Sequence, residues 1–336
     1  MQNKMKVAVV GCGGIAHTHC SALAKNERTE IVGLCDIKPE RAEEKQRLYA
    51  PQAKVFTDYM QMFDTLPFDA LHICLPHYLH APVAIEALRR SKHVFLEKPM
   101  CITEGQITEM LDAERASSGR ICVCFQNRFN NTTLEARRLV ALHGGVVCAR
   151  GIVTWNRGGA YYTESGWRGS YATEGGGVMI NQAIHTLDLL LGFLGIPRAV
   201  SATIANHHQK GIIEVEDTCE CVINFDDDKI GCFYATNAYG TSAPIILELH
   251  CADKTDVMIL GSALLVNGEN VPVPAMESEN VGKTVWGSAH PVLIDAFYRA
   301  LQEGGDMPVP LASAADAVRV LLAAYRSNGE RVDIIR

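Results

Sequence analysis

Through the first 125 positions, short apolar runs alternate with stretches in which apolar residues recur every three or four positions. The runs fall at 6–10, 31–35, 70–75, 93–96 and 120–125, and the amphipathic stretches near 15–25, 40–49, 81–90 and 107–117. Strands separated by helices lie parallel, so the pattern predicts an α/β fold built on a doubly wound parallel sheet. A ligand of such a sheet lies at the carboxyl ends of its strands, where the strand order reverses.

Beyond 125 the rhythm changes. A helix over 134–142 and a strand over 146–155 precede a glycine-rich stretch and a helix over 178–194; strands follow at 199–205, 218–225, 229–236, 245–250 and 256–260. Short turns such as Asp226-Asp227-Asp228 join successive strands, which predicts a large, mainly antiparallel open sheet in an α+β domain. Apolar residues of 178–194 recur at helical spacing, so this helix is expected to cover one face of the sheet and leave the other free. Helices near 291–301 and 314–326 close the chain. The domains expected are 1–125 and 126–336.

Composition narrows the class. With 336 residues, 48% hydrophobic and 21% charged, the chain has the make-up of a globular protein with two cores. Its net charge of −7 argues against wholesale binding of nucleic acid or of an anionic membrane. No apolar stretch approaches the roughly 18 residues that span a bilayer, and MQNKMKVAVV runs into the first strand without a cleavable leader, so a cytoplasmic protein is expected. Cys35, Cys74, Cys122, Cys124, Cys219, Cys221, Cys232 and Cys251 sit in strand-like apolar runs, where buried free thiols are expected. The pairs Cys122/Cys124 and Cys219/Cys221 have C-x-C spacing, unlike a zinc knuckle, and no metal is expected.

The first strand ends in VGCGGIA. Gly11, Gly13 and Ala16 hold the spacing of a dinucleotide fingerprint: one residue for the tight turn, one for close approach of backbone to a pyrophosphate, and one for helix packing on the strand. With Cys12, Gly14 and Ile15 they form the loop, and its free N–H groups face the phosphates at the helix N-terminus. The second strand ends in Asp36, 20 residues after Ala16, where a carboxylate accepts from the adenosine ribose hydroxyls. That carboxylate repels a 2′-phosphate and Ile37 supplies no compensating charge, so NAD is expected rather than NADP, with only Lys38 to oppose the choice.

Two more segments carry chemistry. HVFLEKPM delivers Glu97, Lys98 and Pro99 to the carboxyl edge of the sheet, where a lysine can hydrogen-bond a substrate oxygen; the alternative is a solvated surface lysine. In the segment from Glu164 to Gly195, a helix over 178–191 would put Asn181, His185 and Asp188 on one face, at i, i+4 and i+7. A histidine so placed can take a proton near neutral pH, or be a satisfied packing residue. Arg128, Tyr161, Tyr162, Trp167 and Arg168 are candidates for substrate contact, aromatics by stacking and arginines by binding carboxylate or phosphate, or else packing and ion-pair residues.

Taken together, GCGGIA, CDIKPERA, LPHYLHAPVAIEAL, HVFLEKPM, FQNRF, WRG, GGGVMINQAIHTLDLL, EVEDT and AAYRSNG resemble the Gfo/Idh/MocA family of NAD(P)-dependent oxidoreductases over nearly the whole chain. The resemblance implies an N-terminal Rossmann domain and a C-terminal domain for substrate binding and oligomerisation, as a homodimer or homotetramer. It implies hydride transfer between nicotinamide and a hydroxyl carbon of a sugar, inositol or sugar derivative. His185 would then be the general base and Lys98 the residue that positions the same oxygen, while Leu75, Pro76, His80 and Glu97 join the cofactor site. Many members carry aspartate where this chain has Asn181, whose amide bonds but does not relay a proton. Two alternatives share the scaffold: redox-assisted glycoside hydrolysis with tightly held NAD, and a catalytically silent dinucleotide-sensing regulator, against which the presence of both Lys98 and His185 counts.

Overall fold

The computed structural model describes residues 4–274 and 289–335. The first part of the chain runs β1 (Met5–Val10), α1 (Ala16–Lys25), β2 (Thr29–Cys35), α2 (Pro39–Tyr49), β3 (Lys54–Phe56), α3 (Tyr59–Thr65), β4 (Ala70–Ile73), α4 (His80–Arg89), β5 (His93–Leu96), α5 (Glu104–Arg115) and β6 (Ile121–Val123). Then come α6 (Asn131–Leu142), β7 (Val146–Thr154), α7 (Gly159–Thr163), α8 (Val178–Asn181), α9 (Ile184–Leu194), β8 (Pro197–Ala205), β9 (Thr218–Phe225) and β10 (Ile230–Thr236). The chain continues through β11 (Ile246–Cys251), β12 (Asp256–Leu260), β13 (Ala263–Val266), β14 (Glu269–Asn270), α10 (His290–Glu303), α11 (Leu311–Ser327) and β15 (Arg331–Asp333).

Two compact units emerge. The first holds residues 4–101, 105–126 and 289–313, and the second 102–104, 127–274 and 314–335. Thus α10, from the far end of the chain, packs on α1 within the first unit.

In the first unit six parallel strands are ordered β3-β2-β1-β4-β5-β6, so the order reverses between β1 and β4. The central strands are buried on both faces: Val7, Ala8, Val9, Leu71, Ile73, Phe95 and Leu96 are fully buried, as expected for a sheet with helices on either side. Five of these strands are the expected ones; β3, three residues long at the sheet edge, is too short to leave a periodic signal.

The second unit holds a nine-stranded mixed sheet, β14-β13-β12-β11-β7-β10-β9-β8-β15, antiparallel except where β10 runs parallel to β7. Helix α9 packs on β7, and glycine makes its approach possible: a Cβ on Gly151 would stand 3.3 Å from Thr186 and one on Gly231 2.9 Å from Leu190. The other face carries Arg150, Val222, Cys232 and Tyr234. Cys232 is exposed there, contrary to the expectation of burial, because strand alternation turns it away from the helix.

A second departure concerns the expected helix over 178–194. It is two helices, α8 and α9, joined through a wide turn in which the Ala183 N–H donates to Val178 O at 2.9 Å, five residues back. The extra residue breaks the i, i+4 register between Asn181 and His185; such insertions occur often at functional sites. Its local cause is Gln182, buried and bonded through its amide to Tyr161 and Asn237. No described helix is long and apolar enough to cross a membrane.

One glycine of the first turn is fixed by geometry. Gly11 has φ +84°, and a Cβ there would lie 2.3 Å from the carbonyl oxygen of Cys74. The left-handed backbone alone costs an alanine about 1–2 kcal/mol. Gly11→Ala is therefore expected to lower the urea midpoint by at least that equivalent and to weaken NAD binding; an unchanged midpoint and affinity would refute this reading of the turn.

Candidate functional site

In the first unit, the loop after β1 meets Asp36 at the end of β2. Cys12 N–H donates to Asp36 Oδ2 at 2.8 Å and Lys38 N–H to Oδ1 at 2.9 Å. Both oxygens are thereby fixed, with lone pairs left for ribose hydroxyls. Ideal Cβ atoms built on Gly13 and Gly14 meet nothing within 4 Å, so the loop backbone borders open space ahead of α1, which begins at Ala16 after Ile15. The residues present therefore fit a dinucleotide. Leu75 and Pro76 follow β4, next to the strand-order reversal, and are partly exposed.

His80 is tied into the fold through both ring nitrogens. Its Nδ1 lies 2.6 Å from Pro99 O and its Nε2 2.8 Å from Leu75 O, so both ring nitrogens are taken up in tying the β4 loop to the turn after β5. It shapes the cofactor loop through backbone. Burial pulls its pKa down, against the two carbonyls, which favour a doubly protonated ring.

That turn carries Glu97, Lys98 and Pro99, with a cis Lys98-Pro99 bond. Lys98 is partly exposed while Glu97 is buried. Glu97 Oε1 receives His19 Nε2 at 2.9 Å, His19 Nδ1 meets His72 Nδ1 at 2.9 Å, and His72 Nε2 meets the Tyr298 hydroxyl at 2.8 Å. Burial alone would raise the Glu97 pKa, yet its bond to His19 and the charges of His19, His290 and Lys98 hold it well below the usual carboxylate range. Burial depresses His72 well below the ordinary histidine value and His290 to about 4. The potential ligand atoms of His19, Glu97 and Cys124 gather within 4.8 Å, but His19 and Glu97 already share a hydrogen bond and burial keeps the Cys124 thiol protonated.

In the second unit, residues 174–191 are all buried except Asn181 and His185. The loop before them is held by carboxylates. Glu174, fully buried, accepts from Gly169 N–H at 2.6 Å and from Asn181 Nδ2 at 2.5 Å. Glu216 accepts from Gly177 N–H at 2.8 Å, Met179 N–H at 3.0 Å and the Tyr325 hydroxyl at 3.0 Å; burial pushes it up to about 7 against those donors. Neither carboxylate was singled out from sequence. Glu216 lies within the EVEDT motif and Glu174 just before the glycines, and a Cβ on Gly177 would stand 1.8 Å from Glu216 O.

The substrate candidates separate. Arg128 is bound bidentately by Asp188, Nε to Oδ2 at 2.8 Å and Nη2 to Oδ1 at 2.6 Å, so its charge is neutralised within the fold. Tyr162 is buried with Ile213 and Val215, its hydroxyl accepting from Asn237 Nδ2 at 3.0 Å; packing removes it from the surface. Its neighbour Tyr161 is partly exposed and its hydroxyl receives Gln182 Nε2 at 2.8 Å and Asn181 Nδ2 at 3.4 Å. Arg168 stacks over Tyr161 and Trp167, at 4.3 and 4.8 Å from their ring centroids.

Two outcomes follow from these buried charges. Arg128→Ala leaves Asp188 buried without its cation and is expected to cost about 3–5 kcal/mol, whereas Arg128→Ala with Asp188→Asn recovers much of the loss; urea unfolding of the set checks it, and a single variant as stable as wild type refutes it. For the Glu97 cluster, depressed histidine pKa values mean that the unfolded chain binds more protons below pH 6.5. Stability is full above that pH and falls as pH drops toward 4, by about 2 kcal/mol at pH 5 for His290 alone. Glu97, also depressed, adds its loss below its unfolded pKa. Hydrogen-exchange protection of β4 and β5 should thus be weaker at pH 5 than at pH 7.5 after correction for intrinsic rates, and His290→Gln should shrink the difference; equal protection overturns it.

Comparison with known proteins reaches nearly the whole chain. Residues 5–125 match the model of an oxidoreductase family with an NAD-binding Rossmann fold, and 133–255 match the GFO/IDH/MocA C-terminal domain. The D-glucoside 3-dehydrogenase of Escherichia coli K12 is 26% identical over 98% of this chain and 97% of its own length. The inositol 2-dehydrogenase of Salmonella typhimurium LT2 is 29% identical over 40% of this chain and 41% of that protein. The crystal structure of the WlbA dehydrogenase from Bordetella pertussis, in complex with NADH and UDP-GlcNAcA, superposes with a TM-score of 0.87 at 26% identity, covering 99% of this chain and all of that one. Levoglucosan dehydrogenase, at 21% identity and a TM-score of 0.88, shares the fold. Both halves of the sequence thus lead to one assignment: the chain belongs to the Gfo/Idh/MocA family of oxidoreductases and is an NAD-dependent dehydrogenase acting on CH–OH groups.

Proposed function

We propose that the protein oxidises one ring hydroxyl of a sugar, inositol or sugar derivative to a ketone, with His185 as general base and Lys98 as the donor that positions the reacting oxygen. The observation that carries this reading is the exposure pattern of 174–191, where two polar side chains, Asn181 and His185, are the ones left open in an otherwise buried segment.

The loop of Gly11 to Ala16, Asp36, Leu75 and Pro76 would hold the dinucleotide, with Asp36 favouring NAD through its ribose. Bound NAD supplies the hydride acceptor. His185 takes the hydroxyl proton as the C–H bond breaks, and the C=O double bond forms from the electron pair left on oxygen. Lys98 donates a hydrogen bond to that oxygen. Glu97 lies next to it in the turn, its carboxyl held well below the usual range in part by the Lys98 charge. Asn181, its Nδ2 fixed on Glu174, holds the substrate from the residue before the wide turn.

His185→Ala and Lys98→Ala are each expected to lower kcat by about 10²–10⁴-fold while NAD still binds. Steady-state NADH formation on a substrate drawn from a panel of inositols, aldoses and sugar acids, with fluorescence titration of NAD binding, provides the check. Near wild-type kcat in either variant would remove that residue from the chemistry.

A further inference from the structure

We propose that the substrate is anionic, and that Arg157 and Arg168, on the aromatic plate of Tyr161, bind its carboxylate or phosphate. This rests on the sugar-oxidising reading above and adds the chemical class.

Three of the arginines in or near the site-bearing part of the second unit have their charges treated differently. Arg128 is neutralised by Asp188 through two hydrogen bonds. Arg157 and Arg168 form no ion pair among the described residues. Arg168 stacks on Tyr161 and Trp167, and its Nε is buried with no hydrogen-bond partner among the described residues. Arg157 lies 5.0 Å from the Trp155 ring centroid and 5.6 Å from that of Tyr161, and commits one Nη1–H to Asn156 O at 2.8 Å. Two guanidinium groups therefore share one tyrosine ring.

The carboxylate that acts on this ring is Glu174. Its oxygens are already taken by Gly169 N–H and Asn181 Nδ2, and it is one carboxyl group beside two guanidinium groups. In a chain of net charge −7, a local excess of positive charge at half-buried positions runs against the composition. A buried N–H without a partner carries a desolvation cost that an anionic oxygen removes. Stacking holds each guanidinium plane in place, so little side-chain freedom is lost when a carboxylate or phosphate docks on its edge.

The plate also connects to the reacting end. The Tyr161 hydroxyl bonds Asn181 and Gln182, so the ring runs from the cations to one of the two open polar positions of 174–191. A sugar whose hydroxyl is presented to Asn181 and His185 can place an acidic group over the far side of that ring. A neutral polyol leaves both cations unanswered.

The test uses wild-type protein with NAD and sugar pairs that differ by one charged group: D-glucose against D-glucuronate and D-glucose 6-phosphate, D-galactose against D-galacturonate, and N-acetyl-D-glucosamine against its uronic acid and its UDP ester. NADH is read by absorbance, and binding by ligand-observed NMR with NAD present. The anionic members are expected to bind about ten- to a hundredfold more tightly than their neutral parents, with the gap narrowing at high salt. Preference for uronates or for phosphoryl sugars identifies the source of the charge. Arg157→Gln and Arg168→Gln should each shrink the gap and leave the KM for NAD unchanged. The proposal is overturned if neutral sugars bind as well, if no anionic member binds at millimolar concentration, if the gap survives both substitutions, or if these raise the KM for NAD instead. Anionic preference in binding with no NADH from any member would sink the sugar-oxidising reading and leave this one standing.

Discussion

One buried negative charge, on Glu97, organises the reactive end of the first unit. A carboxylate taken out of water costs several kcal/mol unless it is met by donors. Here the donor is His19, and the consequence spreads. An ionised carboxylate only accepts, so His19 Nε2 must carry a proton. From there the chain of bonds continues through His19 Nδ1 to His72 Nδ1 and through His72 Nε2 to the Tyr298 hydroxyl. Four buried side chains are thus linked to the charge of one, and the last of them belongs to α10, from a distant part of the sequence.

The second unit applies the same constraint to irregular backbone. Between α7 and α8 the chain has no regular hydrogen-bond ladder to satisfy its N–H groups, and buried carboxylates serve instead. Glu174 receives Gly169, while Glu216 receives Gly177 and Met179. Each ties one loop position to another. Side-chain oxygens thereby do for the loop what strand partners do for the sheet, at the cost of charges that must stay dry and fully bonded.

How much of this was legible beforehand depended on whether a signal was periodic. The parallel sheet, the glycine loop, Asp36 and the Glu97-Lys98-Pro99 turn were readable because alternation and spacing are local properties of sequence. Three things were not. The break between α8 and α9 arises from Gln182 being drawn toward Asn237, a contact 55 positions away. The pairing of Arg128 with Asp188 spans 60 positions, so the arginine looked available for substrate. Tyr161 and Tyr162 are adjacent and chemically alike, and only the packing of Ile213 and Val215 against Tyr162 tells them apart. Long-range contacts decide which of several plausible side chains faces outward, and no window of sequence contains them.

The bond between Asn181 and Glu174 makes two positions into one unit of charge. With 2.5 Å between the amide nitrogen and the carboxylate oxygen, an aspartate in place of Asn181 would press a second carboxyl group against the fully buried Glu174, where one of the two must keep its proton. Position 181 is therefore not free to alternate between amide and acid on its own. The identity of residue 174 therefore bears on which of the two can stand there. Substitutions in this stretch belong to pairs, and a chain converted from one type to the other has to change both partners at once.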